Sequence, residues 1–251
     1  MFRPATTVFD CNAALGRRHD RRVAYDTREG LRRVMNEAGI ARALVYNPYA
    51  INFGTVEGNG FLLEEIAGDP ALIPQFVCSF ATDDLAEIDA QVTAAGVRAL
   101  RAFPVSHRYP LVPWIADRWL GWMAERRLSL WIPMGHHPEV DVRDLYETAR
   151  RHPRVPIVLA GSHYSNYPVV WPLLGALDHV HFDVSRFDIP HGIERLIRHI
   201  GVERLLYGSD FPEVDPEPYL HYLHHAGLEP PQLEAICHGN LARLLDLAGE
   251  S

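Results

Sequence analysis

The sequence predicts a single α/β domain over residues 1–251: a (β/α)8 barrel of the TIM type, with C-terminal helices closing the outer ring. Three observations carry this reading. Apolar strand-like runs alternate with helix-period segments from end to end, the mark of repeated βα units on a parallel sheet. About eight such units can be counted, as a closed barrel needs. A chain of 251 residues, 47% apolar and 22% charged, fills one large α/β domain, and its Pro and Gly are spread throughout with no linker.

Thr7 to Asn12 reads as the first strand, followed by a helix from Thr27 to Ala38 that opens on a capping-type threonine. Ala41 to Asn47 is the second strand. Ile73 to Phe80 is the third, and its helix, Asp83 to Ala95, sets Leu85, Ile88 and Val92 at helical spacing. Val97 to Phe103 follows directly after Gly96. A helix from Pro113 to Arg127 starts on a proline suited to a first turn and leads to the fifth strand, Leu128 to Met134. Trp114, Trp119 and Trp122 read as packing on that helix. Val142 to Arg151 is helical, Val155 to Ala160 the sixth strand, Val169 to Leu177 a helix and Val180 to Ser185 the seventh strand. Arg204 to Gly208 completes the set. Helices from Glu217 to His225 and from Pro231 to Leu247 close the ring, with His221, His224 and His225 on an outer face.

Composition excludes several activities. A net charge of −8 argues against nucleic-acid or anionic-membrane partners. No apolar run reaches membrane-spanning length and no signal-peptide core is present at the N-terminus, so a cytoplasmic location is expected. All 24 basic residues are Arg. Without Lys, Schiff-base chemistry and lysine-dependent phosphate loops are excluded in their usual form. Cys11, Cys78 and Cys237 lack metal-knuckle spacing and read as small packed residues; Cys11, at a strand end, is the one candidate thiolate.

The most informative segment is Tyr207-Gly208-Ser209-Asp210-Phe211-Pro212, where a buried strand runs straight into a carboxylate. Alone, Asp210 reads as the N-cap of the next helix. It gains weight because polar residues follow most of the other strands: Asp10 and Asn12, Asn47, Arg101, His136 and His137, His163, and Ser185. Strand alternation would put Asp10, Asn12 and Ala14 on one face. The Gly16-Arg17-Arg18-His19-Asp20-Arg21-Arg22 loop would overhang this rim, with Arg18 a candidate for binding an anion or else part of a solvated loop.

Gly96-Val97-Arg98-Ala99-Leu100-Arg101, Pro156-Ile157-Val158-Leu159, His181-Phe182-Asp183-Val184-Ser185, Gly208-Ser209-Asp210-Phe211-Pro212 and Gly239-Asn240-Leu241-Ala242-Arg243-Leu244 together resemble the amidohydrolase-related family of the amidohydrolase superfamily. The resemblance implies a (β/α) barrel among metal-dependent hydrolases, decarboxylases and lactonases, some of which work without metal. The family's first strand ends in Asp-x-His-x-His; here those positions are Asp10-Cys11-Asn12-Ala13-Ala14, so both imidazoles are missing. The family's sixth-strand histidine falls near Ala160 or Gly161 unless His163 replaces it. His136 and His137 both stand for the fifth-strand histidine, and Asp210 for the strand-eight aspartate. The expectation is no catalytic metal; the alternative is a single divalent ion such as Zn held by His136 or His137 with His163 and Asp210.

These residues lead to an expected hydrolase of lactone or amide type, with decarboxylation as a weaker option, acting on a small carboxylate. Asp210 would be the base, and His136, His137 or His163 would polarise the carbonyl or protonate the leaving group. Arg101 would hold the substrate carboxylate, while Asp10, Asn12, Ser185 and Arg18 complete the binding set. Self-association is left open. The competing reading is a non-catalytic barrel that lost its metal and binds a small molecule or a partner protein; an open pocket with Asp210 in hydrogen-bond reach of a rim histidine would favour the enzyme.

Overall fold

Runs of β-branched and other apolar residues, buried on both faces, pair in parallel and in chain order: β1 (Phe9–Ala14), β2 (Arg42–Tyr46), β3 (Leu72–Cys78), β4 (Ala99–Ala102), β5 (Ser129–Pro133), β6 (Ile157–Ala160), β7 (Val180–Asp183) and β8 (Leu205–Leu206). This is seen in a computed structural model that describes residues 2–19, 23 and 26–247. The barrel closes where Cys11 N–H donates to the Tyr207 carbonyl at 2.9 Å and Ala14 N–H to the Phe211 carbonyl at 2.8 Å.

Phe9, Cys11, Leu44, Ala99, Trp131, Val158 and Leu206 fill the interior, floored by Leu241, Ala242 and Leu245 from the C-terminal segment. A larger cluster packs the helices onto the outside of the sheet. Local sequence fixes the helix ends. Thr27 accepts from Gly30 N–H and Gly39, at φ 75°, ends the helix Arg28–Ala38; Asp84 caps Leu85–Ala95; Pro113 opens Pro113–Arg126.

The structure adds three helices beyond the sequence reading, Tyr49–Asn52, Thr55–Ile66 and Gly192–Ile200. Gly58 and Gly60 mask the second of them as a loop; a Cβ at Gly58 would meet the Ala50 backbone at 2.5 Å, so that glycine serves helix contact. The expected helix from Pro231 to Leu247 is three pieces: Pro230–Glu234, a π-helical turn at Ala235–Gly239, and Asn240–Leu244. Trp119 and Trp122 pack as expected, their indole N–H groups reaching Phe80 and Asp89, but Trp114 is 82% exposed. No described helix is long and apolar enough to cross a membrane.

Candidate active site

β1 carries one extra residue against β2: Asp10 pairs with Ala43, but Ala13 pairs with Val45. This bulge breaks the expected alternation of Asp10, Asn12 and Ala14 on one face. Cys11 enters the barrel interior. It is fully buried, and burial pushes its thiol well above the usual range, so it is not a thiolate nucleophile. The Asp10 carboxylate turns to backbone, accepting from Asn12 N–H at 2.9 Å and Ser209 N–H at 2.8 Å.

Asn12 is the hub of the rim. Its Nδ2 donates to Asp183 Oδ2 at 2.9 Å and to Asp210 Oδ1 at 3.3 Å, and its Oδ1 accepts from Arg101 Nη2 at 2.7 Å. Asp183, at the end of β7, also accepts from Gly161 N–H, Ser185 N–H and Ser185 Oγ. Arg186 Nη1 holds Asp210 Oδ2 at 3.0 Å. Arg101, 2% exposed, donates through Nε to Gln75 at 2.7 Å and lies 4.1 Å over the Tyr46 ring. Its partners are all neutral, so its charge is unbalanced by any direct carboxylate among the described residues.

Burial dominates the titration of the acids. It raises Asp10 and Asp183 to about 6 each, against the hydrogen bonds that stabilise their charged forms, and the Asp210 charge adds to the rise. Asp210 is also raised by burial, with Arg186 opposing. Asp210 adopts φ 57° and is not the helix cap; Asp215 caps Pro216–His225 by accepting from Glu217 N–H.

A cavity of about 390 Å³ opens over these groups, lined among others by Asn12, Arg101, His137, Arg186, Asp210 and Glu213. Arg18 reaches it and pairs with Glu213. Asp20, Arg21 and Arg22 of the same loop lie outside the described residues. A larger hollow of about 550 Å³ lies alongside, lined by Glu57, Asp83, Asp84 and Glu87, and contains none of the hub residues.

The sequence-predicted residues thus divide. Asn12, Arg18, Arg101, His137 and Asp210 share the cavity wall; Asp10 and Ser185 sit behind it, bracing Ser209 and Asp183. His136 stacks on His163 at 3.6 Å between ring centroids, outside the lining, and His163 Nδ1 contacts Ser165 Oγ at 2.8 Å. Asp210 bonds Asn12 and Arg186, with no histidine partner among the described residues. Sequence reasoning missed Asp183, Arg186, Gln75 and Tyr46. Asp183 ends an apolar strand as Asp210 follows one, and that signal could have found it. Arg186, in the loop after β7, has no comparable mark.

Eight parallel strands alternating with helices, with a cavity and polar groups at the strands' C-terminal ends, define a (β/α)8 barrel of the TIM type. The amidohydrolase family profile matches residues 20–247, and the chain belongs to that family. Solved structures of similar fold include a Pseudomonas putida protein provisionally named 2-pyrone-4,6-dicarboxylic acid hydrolase, at 18% identity and TM-score 0.73, covering 97% of this chain and 99% of that one. A Rhizobium 2,6-dihydroxybenzoate decarboxylase follows at 12% and 0.75, covering 97% and 100%. A Polaromonas dihydroxybenzoic acid decarboxylase with bound manganese matches at 14% and 0.76, covering 96% and 97%. At such identities the likeness is one of fold. No curated protein matches the chain.

The family's members commonly use a divalent ion, and the donor set here does not suit one. Among the described residues no three of His, Cys, Asp or Glu gather to hold a metal, including the set His136, His137, His163 and Asp210. The two facing carboxylates instead receive an amide N–H from Asn12, and Asp210 receives a guanidinium. An amide nitrogen and arginines repel a cation where a ligand cluster would need lone pairs.

Proposed function

We propose that this amidohydrolase-family chain hydrolyses a lactone or related acyl bond of a small organic carboxylate, without a resident metal. The observation that carries the reading is Arg101: a buried guanidinium with only neutral partners, in the wall of a cavity that also presents Asp210. A substrate carboxylate would pair with Arg101 directly through charge-assisted hydrogen bonds, where the protein's own Asp210 carboxylate acts on it only through space. Asp210, its basicity raised by burial, takes a proton from water as the oxygen attacks the acyl carbon. The C–O bond of the lactone then breaks, and the leaving oxygen receives the proton that Asp210 took from water, which restores the carboxylate. Arg186 and His137, both in the lining, are the donors that would stabilise the developing oxyanion.

The test is turnover of a panel of lactones and esters of small mono- and dicarboxylic acids by protein purified without chelator. Asp210→Asn should abolish hydrolysis while its circular dichroism and melting stay near wild type, since the amide keeps shape but accepts no proton. Near wild-type activity in Asp210→Asn would remove Asp210 from the chemistry. Elemental analysis of the untagged protein should give well under one equivalent of divalent metal; a near-stoichiometric ion lost together with activity on chelation would overturn the metal-free reading. Release of carbon dioxide from an aromatic acid in place of lactone opening would reassign the site as a decarboxylase.

A further inference from the structure

The Gly239-Asn240-Leu241-Ala242-Arg243-Leu244 segment takes no part in the rim site; it lies at the opposite mouth of the barrel. There Asn240, 3% exposed, donates through Nδ2 to the carbonyls of Val202 at 2.7 Å and Leu205 at 2.8 Å, and its Oδ1 accepts from Arg243 Nη2 at 2.5 Å. The Asn240 amide is thus fixed in orientation by two backbone groups, and it fixes the Arg243 guanidinium in turn. Arg243 borders a cavity of about 340 Å³ together with Arg127, Arg154, His181 and Glu203.

The topology explains the convergence. Arg127 ends the helix before β5, Arg154 precedes β6, His181 lies near the start of β7 and Glu203 precedes β8, so four consecutive strands deliver their entry points to one hollow. Arg127 holds φ 55°, an uncommon conformation for a non-glycine residue. None of Arg127, Arg154 and Arg243 has a carboxylate partner among the described residues, and the buried Nδ1 of His181 has no hydrogen-bond partner there. Burial first, then the nearby Arg204, His179 and Arg243, hold the His181 imidazole down at about 4.

We infer that this cavity binds the phosphate group of a phosphate monoester, with Arg127, Arg154 and Arg243 as its cationic donors. Three guanidinium groups on one wall can each donate to the oxygens of a dianion, and the Asn240 brace removes part of the ordering cost for Arg243. Glu203 and Asp246, also on the wall, are acceptors for hydroxyl groups beside the phosphate. The site is independent of the rim chemistry.

Glycerol 3-phosphate, titrated against the full chain and followed by melting temperature, tests it. Wild type and Arg101→Met should both show a saturable rise, and Arg127→Gln/Arg154→Gln should need at least ten-fold more ligand. A rise reproduced by sodium chloride at matched ionic strength would overturn the site, as would a rise lost in Arg101→Met but kept in the double variant, which would put the anion at the rim. Should the double variant melt early without ligand, the His181 imidazole resonances decide in the wild-type protein. Perturbation on titration supports the site, and unmoved resonances overturn it.

Discussion

Asn12 presents one amide to three charged side chains, donating to Asp183 and Asp210 and accepting from Arg101. Its loss should disorder all three, but the anion site itself is tested more cleanly at Arg101. Arg101→Met should weaken binding of small carboxylates by about ten-fold to more than a hundred-fold, the worth of a contact of roughly 1.5 to 3 kcal/mol. Ligand-induced melting shifts across mono- and dicarboxylates would show the loss. If the variant merely unfolds, and wild type never binds a carboxylate, Arg101 serves the fold instead. Asp10 and Asp183 titrate near 6 in the folded chain and near 4 when unfolded, so the folded state holds protons more tightly between those values. Their stabilising contribution is full below about pH 4 and is lost as pH rises through about 6, roughly 3 kcal/mol for each carboxylate. Asp183→Asn should therefore melt with a flatter pH dependence between 4 and 6.5 than wild type; equal slopes would mean that Asp183 ionises normally. Much of this site was legible because polar residues at strand ends are visible in sequence. Arg186 was not, because its partner Asp210 is distant in sequence and only the closed barrel brings the two together.

Strands were the legible elements, since a run such as Ile157–Ala160 is apolar throughout and bounded by Pro and Gly. The phase of β1 was not legible: the extra residue opposite Leu44 leaves no compositional trace, yet it turns Cys11 and Asn12 both inward. Gly192–Ile200 was passed over although Ile193, Leu196 and Ile200 stand at helical spacing, whereas Thr55–Ile66 was hidden by glycines needed for close approach. The turn after β8 shows how tightly such elements meet. A Cβ at Gly208 would lie 2.5 Å from Asp183 Oδ1 and 2.8 Å from Asn12 Cβ. Gly208→Ala should cost roughly 1–3 kcal/mol by overpacking and separate Asp183 from Asn12. Denaturant unfolding measures the cost, and an unchanged midpoint would show that the rim yields more easily than its contacts imply.

The molecule as a whole is a barrel with an open rim, a filled interior and a floor made by its C-terminal segment. Leu241, 1% exposed, meets that interior beneath Phe9 and Leu44 although it comes late in the chain. Leu241→Ala should destabilise by about 2–5 kcal/mol, as a central core leucine would; a loss near zero in denaturant unfolding would make the floor an appendage. The fold class was readable because alternation of apolar runs and helical segments leaves few architectures open, while the floor was not, because nothing in Asn240–Leu244 distinguishes a plug from an outer helix. The closing seam joins β1 to β8, and the floor follows β8. On a ribosome, therefore, the first strand emerges and waits through the synthesis of seven further strands for its second neighbour, with an unpaired edge and an unfloored apolar lumen. The candidate site, which spans that same seam from Asn12 to Asp210, cannot exist until β8 has been made, and through that interval the open sheet edge is exposed to aggregation.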